Sequence, residues 1–543
     1  MGAETTMRGS ARSRWLFPTL ARYSRRSFGR DVAAGISASV VVIPQAMAYS
    51  TIANLPVQVG LYTCIVPLLA YAALGGSRAM SVSTTSTIAT LTATTLVTAG
   101  VATASDDIPR DLVTLTLMVG LILLVARIFR LGALVEIINR PTLVGIQIGV
   151  GSTVAIGQVP SLLGEEAQPT GSGFIRSAFR IVEALPQANP ATVLLSVCSI
   201  VSLLVLKRFA PRVPAPLLVV VAGIGLSAMG YLPAAGVKLI DPVPQGMPVP
   251  TLPTFENIAA LIPGAFAIAV MAFLESNAVA RAIREPSEPP IKSNQELLAT
   301  SVANVVGSFT QILPAAGGFS QSAVNKGAGA RSQVAGLMTV VLAAFVGLFL
   351  GPVLSLLPRA TLAALVFVAV LGLLDVKALL RFRRIRRSDF VLALVVMLVG
   401  LTAGLITAVT VGVVVTFIMV LRALNRPRIR ATPSENRECL HVKLLAPLYT
   451  ANVLATEEAV LQEIAGHPET RVLELDMARI EETSTTVLDA LEDLDRELAG
   501  RGVELRIVEL PIATDRTASG SQWYRDLKRA GRARPGSKEV SEH

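Results

Sequence analysis

Long apolar runs separated by short polar connections fill the first 430 residues of the chain. A helix that crosses a bilayer needs about 20 mostly apolar residues, or about 17 at the short end. Three of the runs, 83–101, 293–309 and 319–331, are too short or too polar to be assigned from hydropathy alone. The pattern predicts fourteen membrane spans, at 31–53, 57–76, 83–101, 111–129, 140–160, 190–207, 214–232, 258–281, 293–309, 319–331, 333–356, 360–375, 388–405 and 407–424.

The pattern changes after about residue 430. Apolar and polar residues alternate in His441–Leu445, Arg471–Leu475 and Val503–Val508, which predicts three strands. The intervening segments 455–465 and 484–499 have the helical period. An order of strand, helix, strand, helix and strand is typical of a small α/β domain. The chain is therefore predicted to comprise a cytoplasmic tail, a transmembrane domain, an α/β domain and a disordered tail, at 1–30, 31–430, 431–530 and 531–543.

Composition supports this division into a membrane part and a water-soluble part. Only 16% of the chain is charged and its mean hydropathy is +0.59, whereas a soluble domain carries roughly 25% charged residues. Residues 1–430 carry a net charge of +17 and residues 431–543 a net charge of −7. These values exclude an ordinary soluble enzyme, a secreted disulfide scaffold and a disordered chain. The overall charge of +10 indicates membrane orientation, and no nucleic-acid partner is expected.

The positions of the cations agree with fourteen spans and a cytoplasmic N-terminus. Lys and Arg collect in the connections that this topology places in the cytoplasm, whereas the outer connections hold few. Omitting one weak span would invert every later connection and spoil the agreement. The cytoplasmic cations are Arg78, Arg127, Arg130, Arg140, Lys207, Arg208, Arg212, Arg281, Arg284, Lys292, Lys326, Arg331, Arg381, Arg383, Arg384, Arg386 and Arg387, followed by Arg422, Arg426, Arg428 and Arg430.

Two outer connections are unusually long. The first, 160–189, has a possible amphipathic helix at Phe174–Leu185, and the second, 233–257, is rich in proline and predicted to be ordered.

Fourteen spans suggest two halves of seven, and the third span of each half is interrupted by small, hydroxyl-rich residues. These stretches are Ser81–Thr87 and Pro314–Ser322. Matched short, Gly/Ser-interrupted segments point to a transporter site built from half-helices. Two helix starts aimed at one cavity favour an anion. The alternative is that small residues simply allow close helix packing.

Glu275 is the only carboxylate well inside one of the predicted apolar spans. An ionisable group in a bilayer is costly and suggests function, here holding a proton or binding sodium. The alternative is an acid near the cytoplasmic end that pairs with Arg281 or Arg284.

Gln45 follows Pro44 in the first span, where a proline frees backbone groups, and Tyr49 lies one turn further on. Gln45 could donate to a ligand oxygen or bond to a neighbouring helix.

Seven short motifs follow one another along the chain: Pro44–Tyr49, Leu55–Tyr62, Gly75–Val82, Asn294–Leu297, Ala303–Ser308, Ser322–Asn325 and Gly329–Arg331. This series resembles the sulfate permease (SulP) family of anion transporters over nearly the whole chain. The C-terminal α/β segment is similar to that family's STAS domain.

The resemblance implies a uracil-permease-like α-helical membrane fold of seven plus seven inverted spans, with a moving core and a gate. It implies a homodimer with cytosolic STAS domains, and an anion held between the third and tenth helices. It also links the acid of the eighth span, Glu275, to coupling by H⁺ or Na⁺. The substrate-binding residues expected on this basis are Gln45, Tyr49, Ser83, Thr84, Thr85, Phe319, Ser320 and Gln321.

The sequence departs from the family pattern at three places. Many relatives carry Arg where this chain has Gln321, which weakens the expectation of divalent sulfate and admits bicarbonate, chloride or a dicarboxylate. Many have Gly-Pro where this chain has Ser83-Thr84, which makes Thr85 the substrate-facing residue. Ser484-Thr485 lacks the Asp of phosphorylatable STAS domains, so Ser484 is interpreted as an ordinary N-cap.

These features favour secondary active transport of an anion across the cell membrane. The compact loops suggest that this membrane is a bacterial inner membrane. Two alternatives remain open: a carrier of a neutral substrate such as a nucleobase, and a membrane-anchored regulatory protein acting through its STAS domain. An enzyme is not expected, because no nucleophile–base pair or phosphate-binding loop is evident. Neither a metal nor another cofactor is expected, because Cys64, Cys198 and Cys439 lie far apart.

Overall fold

The structure is a computed structural model that divides into two compact units, Met1–Thr416 and Phe417–His543. It describes residues 17–19, 23, 27–101, 108–132, 140–165, 174, 177–179, 181, 185–210, 213–286, 288–372, 374–480 and 483–536. Half of the predicted helix at Phe174–Leu185 lies outside these residues.

The hydrophobic part is helical apart from two very short strands, as far as the structure describes it. Proline at the first turn of several helices suits their start, because its missing N–H has no helical partner there. The elements are α1 (Phe28–Ile52), α2 (Val57–Thr63), α3 (Val66–Leu74), β1 (Val82–Ser83), α4 (Ser86–Thr98), α5 (Ile108–Ile128), α6 (Arg140–Leu163), α7 (Pro190–Phe209), α8 (Ala215–Ala228), α9 (Tyr231–Ala234), α10 (Ile258–Ile283), α11 (Ser293–Ser308), β2 (Ala316–Gly317), α12 (Phe319–Gly327), α13 (Val334–Phe349), α14 (Gly351–Leu354), α15 (Arg359–Leu371), α16 (Val376–Ile385), α17 (Arg387–Thr402) and α18 (Leu405–Leu424).

Each predicted span falls on one helix or on two consecutive helices. The spans 57–76 and 333–356 are each broken in two, as α2 with α3 and α13 with α14. Eight helical stretches of the described chain are long and apolar enough to cross a membrane, and two of them, Val57–Leu74 and Arg359–Ile385, each combine two of these helices. Helices α8 and α13 are apolar but shorter. The count of fourteen spans stays a prediction. The sequence reading missed α16, whose cationic residues hid its helical period.

The helices of the hydrophobic part pack in two groups. In the first, α11 packs on α5, α13 on α1, and α10 on α4, α5 and α12. In the second, α6 packs on α15 and α17, and α7 packs on α8 and α15. Helices α1 and α4 of the first group contact α8, α15 and α6 of the second. Glycines permit the closest approaches: an added Cβ at Gly35 would lie 2.5 Å from the carbonyl oxygen of Ala335.

The second unit contains a sheet with the strand order β3-β4-β5-β6-β7. The first strand pair is antiparallel and the other pairs are parallel. Its elements are β3 (Ile429–Pro433), β4 (Cys439–Leu444), α19 (Val453–Ala465), β5 (Val472–Asp476), α20 (Thr485–Gly500), β6 (Glu504–Leu510), α21 (Ile512–Ala518), α22 (Gln522–Arg529) and β7 (Ala533–Pro535).

The three predicted strands and two predicted helices of this unit are confirmed. Alternate residues of the strands, among them Leu440, Leu473 and Leu505, are buried in one apolar core. Ser484 is the N-cap of α20, and its hydroxyl accepts a hydrogen bond from the Val487 N–H at 3.4 Å.

The prediction of a disordered tail at 531–543 is wrong for Ala533–Pro535, which form β7 alongside β6. Ala533 is buried in the core, and three residues are too few for an alternating pattern to show in the sequence. Residues 537–543 lie outside the described part.

Candidate functional site

Two short strands pair where the interrupted segments of the two halves meet. We call this pair, β1 (Val82–Ser83) with β2 (Ala316–Gly317), the crossing. β1 and β2 pair antiparallel, with Val82 opposite Gly317 and Ser83 opposite Ala316. The Gly318 N–H donates to the Ser81 carbonyl at 3.1 Å, and the Ser81 N–H donates to the Ser322 hydroxyl at 3.0 Å. The extended backbone therefore finds its hydrogen bonds within the protein, as an apolar environment requires.

A half-helix begins directly after each strand. Helix α4 has Thr85 as its N-cap, whose hydroxyl accepts from the Ile88 N–H at 3.3 Å, and α12 follows Gly318. The first N–H groups of a helix have no partner within the helix, and they carry its positive dipole end. The crossing therefore brings two positive helix ends together.

Three buried polar atoms at this crossing have no hydrogen-bond partner among the described residues: Gln45 Oε1, Thr84 Oγ1 and Gln321 Nε2. Their side chains are 9%, 0% and 2% exposed. A buried polar group without a partner is costly, and in native proteins such groups often mark functional positions. Two of these atoms, on Thr84 and Gln321, can donate a hydrogen bond, and the third, on Gln45, can accept one.

The other atoms of these amides connect the two halves. Ser83 Oγ donates to Gln321 Oε1 at 2.6 Å, and Gln45 Nε2 donates to Ser320 Oγ at 3.5 Å. Gln321 and Ser320 belong to α12, whereas Gln45 lies just after the proline inside α1. The contacts thus join α1, β1 and α12 around the crossing.

Glu275 lies on α10 beside the same crossing and is 6% exposed. Its Oε2 accepts a hydrogen bond from Thr85 Oγ1 at 2.8 Å. Tyr49 is also buried, and it lies close enough to Glu275 for the charge of the carboxylate to act on its hydroxyl. The carboxylate is therefore bonded to the start of α4, and Arg284 instead binds the Glu288 and Pro289 carbonyls.

Phe319 differs from the other expected binding residues because its side chain is 46% exposed. It is the first residue of α12, and its neighbour Ser320 is also exposed. The expected residues are therefore brought together around the crossing, with Phe319 and Ser320 at its accessible edge.

Two serines that the sequence reading missed hold the crossing in place. The Ser276 hydroxyl accepts from the Gly317 N–H at 2.9 Å while donating to Ala272 O at 2.6 Å, and Ser322 accepts from Ser81 as described above. Ser276 follows Glu275 directly and Ser322 begins the motif Ser322–Asn325, so only their neighbours in the sequence pointed to them.

Glu275 is not the only buried carboxylate in the hydrophobic part, because Asp31, Asp111 and Glu296 are buried as well. Each of these three lies in the first turn of its helix, where the dipole favours a negative charge. Glu296 also accepts from the Tyr71 hydroxyl at 2.8 Å and the Gly76 N–H at 3.1 Å. Glu275 differs because it lies mid-helix. No cluster of three or more metal-binding side chains occurs in the described residues.

Comparison with known proteins gives the same division of the chain. The sulfate permease family model matches residues 28–396, and the STAS domain model matches residues 431–527. The chain is 32% identical over 504 residues to the probable sulfate transporter Rv1739c of Mycobacterium tuberculosis, covering 89% of each protein. It is 27% identical to the chloroplastic sulfate transporter 4.1 of Arabidopsis thaliana, covering 92% of this chain and 78% of that protein.

Solved structures share the fold. The structure of SLC26A9 superposes with a TM-score of 0.87 at 21% identity, covering 98% of this chain and 93% of the other. The transmembrane domain of the cyanobacterial bicarbonate transporter BicA superposes with a TM-score of 0.63 at 20% identity, covering 73% of this chain and 98% of the other. The chain therefore belongs to the sulfate permease family of membrane transporters and carries a C-terminal STAS domain.

Proposed function

We propose that the chain is a secondary active transporter that carries a small anion across the cell membrane by alternating access. The anion binds at the crossing of β1 and β2. The observation that carries this proposal is the convergence of two half-helix N-termini on two buried, unpartnered hydrogen-bond donors, Thr84 Oγ1 and Gln321 Nε2. Two positive helix ends favour a negative ligand over a neutral one such as a nucleobase.

The substrate is an inorganic or small organic anion: sulfate, bicarbonate, chloride or a dicarboxylate. The relatives include probable sulfate transporters, and one protein of similar structure is a bicarbonate transporter. Gln321 contributes an amide rather than a full positive charge, which lowers the advantage that a dianion has over a monovalent anion.

Glu275 couples transport to an inward flow of H⁺ or Na⁺. Its carboxylate is buried beside the crossing and is bonded to Thr85 at the start of α4. Binding a cation there removes a negative charge from the vicinity of the anion, so the two ligands favour each other's binding.

The two helix groups supply the moving parts. The half-helices α4 and α12 belong to the first group, whereas α6 and α15 of the second group face α1 and α4. Movement of the first group against the second would expose the crossing to each side in turn. We further propose a homodimer in a bacterial inner membrane, with the N-terminus and the STAS domain in the cytoplasm.

Uptake into proteoliposomes tests the proposal. Labelled sulfate, bicarbonate, chloride and a dicarboxylate are supplied with and without an inward H⁺ or Na⁺ gradient. We expect one anion to accumulate in response to one gradient. We expect Glu275→Gln to lose this response, because an amide neither binds a proton at neutral pH nor carries the charge that attracts Na⁺.

Glu296→Gln is the matched control, since it makes the same change at a second buried glutamate that is bonded to Tyr71 and Gly76. It should retain the gradient response. Uptake of a nucleobase but of no anion would favour the neutral-substrate alternative. Absence of all uptake by folded protein would favour a regulatory role for the STAS domain.

A further inference from the structure

Helix α16 (Val376–Ile385) is a short amphipathic helix between two apolar helices, α15 and α17. Asp375 caps it by accepting from the Ala378 N–H at 2.9 Å. Its buried residues, Ala378 and Phe382, pack in a cluster with Val144 and Ile148 of α6 and with Ala393 of α17. The helix is therefore fixed on the second helix group by one face.

The remaining surface of α16 carries a row of exposed cations. Lys377, Arg381 and Arg384 follow each other at spacings of four and three residues, which places them on one side of the helix. Three more exposed arginines, Arg383, Arg386 and Arg387, lie at its C-terminal end. None of the six has an acidic partner within 4.0 Å in the described part of the chain. The positive charge therefore stays available to a ligand.

Exposed apolar side chains flank these cations. Val376, Leu380 and Ile385 are 53%, 50% and 70% exposed, although the same short helix buries other apolar residues. A freely dissolved anion would be bound by the cations alone and gives no reason for apolar residues beside them. Cations interspersed with exposed apolar residues are typical of a helix in the interface between headgroups and acyl chains.

We propose that α16 is a membrane-surface helix that binds the headgroups of anionic phospholipids. Lys377, Arg381 and Arg384 contact the phosphates, and the exposed apolar residues enter the acyl boundary. Because α16 packs on α6 and α17, bound lipid anchors the second helix group at the membrane surface. This inference does not depend on the identity of the transported anion.

Lipid binding to the full-length protein tests the inference. The purified protein, in an uncharged detergent, is titrated with phosphatidylglycerol or phosphatidylcholine, and bound lipid is counted by native mass spectrometry. We expect a preference for phosphatidylglycerol that weakens with salt. Each cation near an anionic surface contributes about fivefold, so Lys377→Gln/Arg381→Gln/Arg384→Gln should reduce the preference at least about tenfold.

Arg496→Gln/Arg501→Gln/Arg529→Gln is the matched control, since it removes three exposed arginines that pair with acids in the STAS domain. It should leave the preference unchanged. If the α16 triple variant does not fold, Arg381→Gln alone should show the fivefold loss, and Lys377→Arg/Arg381→Lys/Arg384→Lys should show none. Equal binding of both lipids, an unchanged preference in the glutamine variants of α16, or displacement of the lipid by millimolar inorganic phosphate would overturn the inference.

Discussion

Gln321 is the residue that most directly determines the charge of the candidate anion site. Its amide carbonyl is bonded to Ser83, which leaves the NH₂ group as the part without a partner among the described residues. The site thus receives a neutral donor at a position where a longer basic side chain would supply a full charge.

We predict that Gln321→Arg shifts selectivity towards divalent anions. A unit charge about 4 Å away interacts by about 4 kcal/mol at an intermediate effective dielectric, and twice as strongly with a dianion. The ratio of KM for a monovalent anion to KM for sulfate should therefore rise at least about tenfold, measured by uptake into proteoliposomes. Gln321→Met is the control, since it removes the amide without adding charge. It should raise the KM for both anions by about the same factor. An unchanged ratio in the arginine variant would place the anion away from Gln321.

At the scale of elements, the crossing depends on hydrogen bonds from neighbouring helices to its extended backbone. The Ser276 hydroxyl provides one of them, to the Gly317 N–H, while also donating to a carbonyl of its own helix. Two-residue strands have too few mutual bonds to hold themselves in register. Helix α10 therefore positions β2 as well as Glu275.

We predict that Ser276→Ala destabilises the protein more than a comparable serine substitution does. It leaves the buried Gly317 N–H without its partner, which costs about 1–3 kcal/mol. Ser301→Ala is the control, because Ser301 is equally buried and donates only to Leu298 O in its own helix. Thermal unfolding in detergent should give a lower Tm for Ser276→Ala than for Ser301→Ala. Equal Tm values would mean that the strand holds its position without this bond.

Whether an element could be predicted from the sequence depended on whether it has an apolar pattern of its own. Apolar runs locate the helices well, because burial in lipid or protein requires them to be apolar on nearly all sides. Helix α16 escaped prediction because four of its ten residues are cations, which leaves it without a long apolar run. β7 escaped because its three residues are ordered by pairing with β6, a contact that no local pattern encodes.

At the scale of the whole molecule, the site depends on contacts between residues far apart in sequence. Ser83 meets Gln321 and Thr85 meets Glu275 only when the two halves are folded together. The sequence could indicate these residues singly, from interrupted spans, a mid-span acid and family motifs. Ser276 and Ser322 were marked only by their neighbours, because a serine that braces a strand has no distinctive local pattern of its own.

The STAS domain is a separate unit with its own core. Its buried apolar residues, from Leu440 to Ala533, all belong to the second compact unit. Its edge is less well predicted than its centre, since the alternation of polar and apolar residues is clear only in the three central strands.

If the anion binds at the crossing of β1 and β2, the Thr84 hydroxyl is one of its contacts, and Thr84→Val removes that contact. Thr84 Oγ1 is buried and has no protein partner among the described residues, so valine removes a ligand contact without breaking an internal bond. A hydrogen bond to a charged group contributes about 1.5–3 kcal/mol. The KM for the transported anion should therefore rise about 10- to 100-fold.

Thr92→Val is the matched control, because Thr92 is equally buried on α4 and its hydroxyl donates to the Ile88 carbonyl of the same helix at 2.8 Å. The measurement is the initial uptake rate as a function of anion concentration, for both variants in the same proteoliposomes. We expect a raised KM in Thr84→Val and a KM close to wild type in Thr92→Val. Equal KM values in Thr84→Val, Thr92→Val and wild type would contradict binding at the crossing.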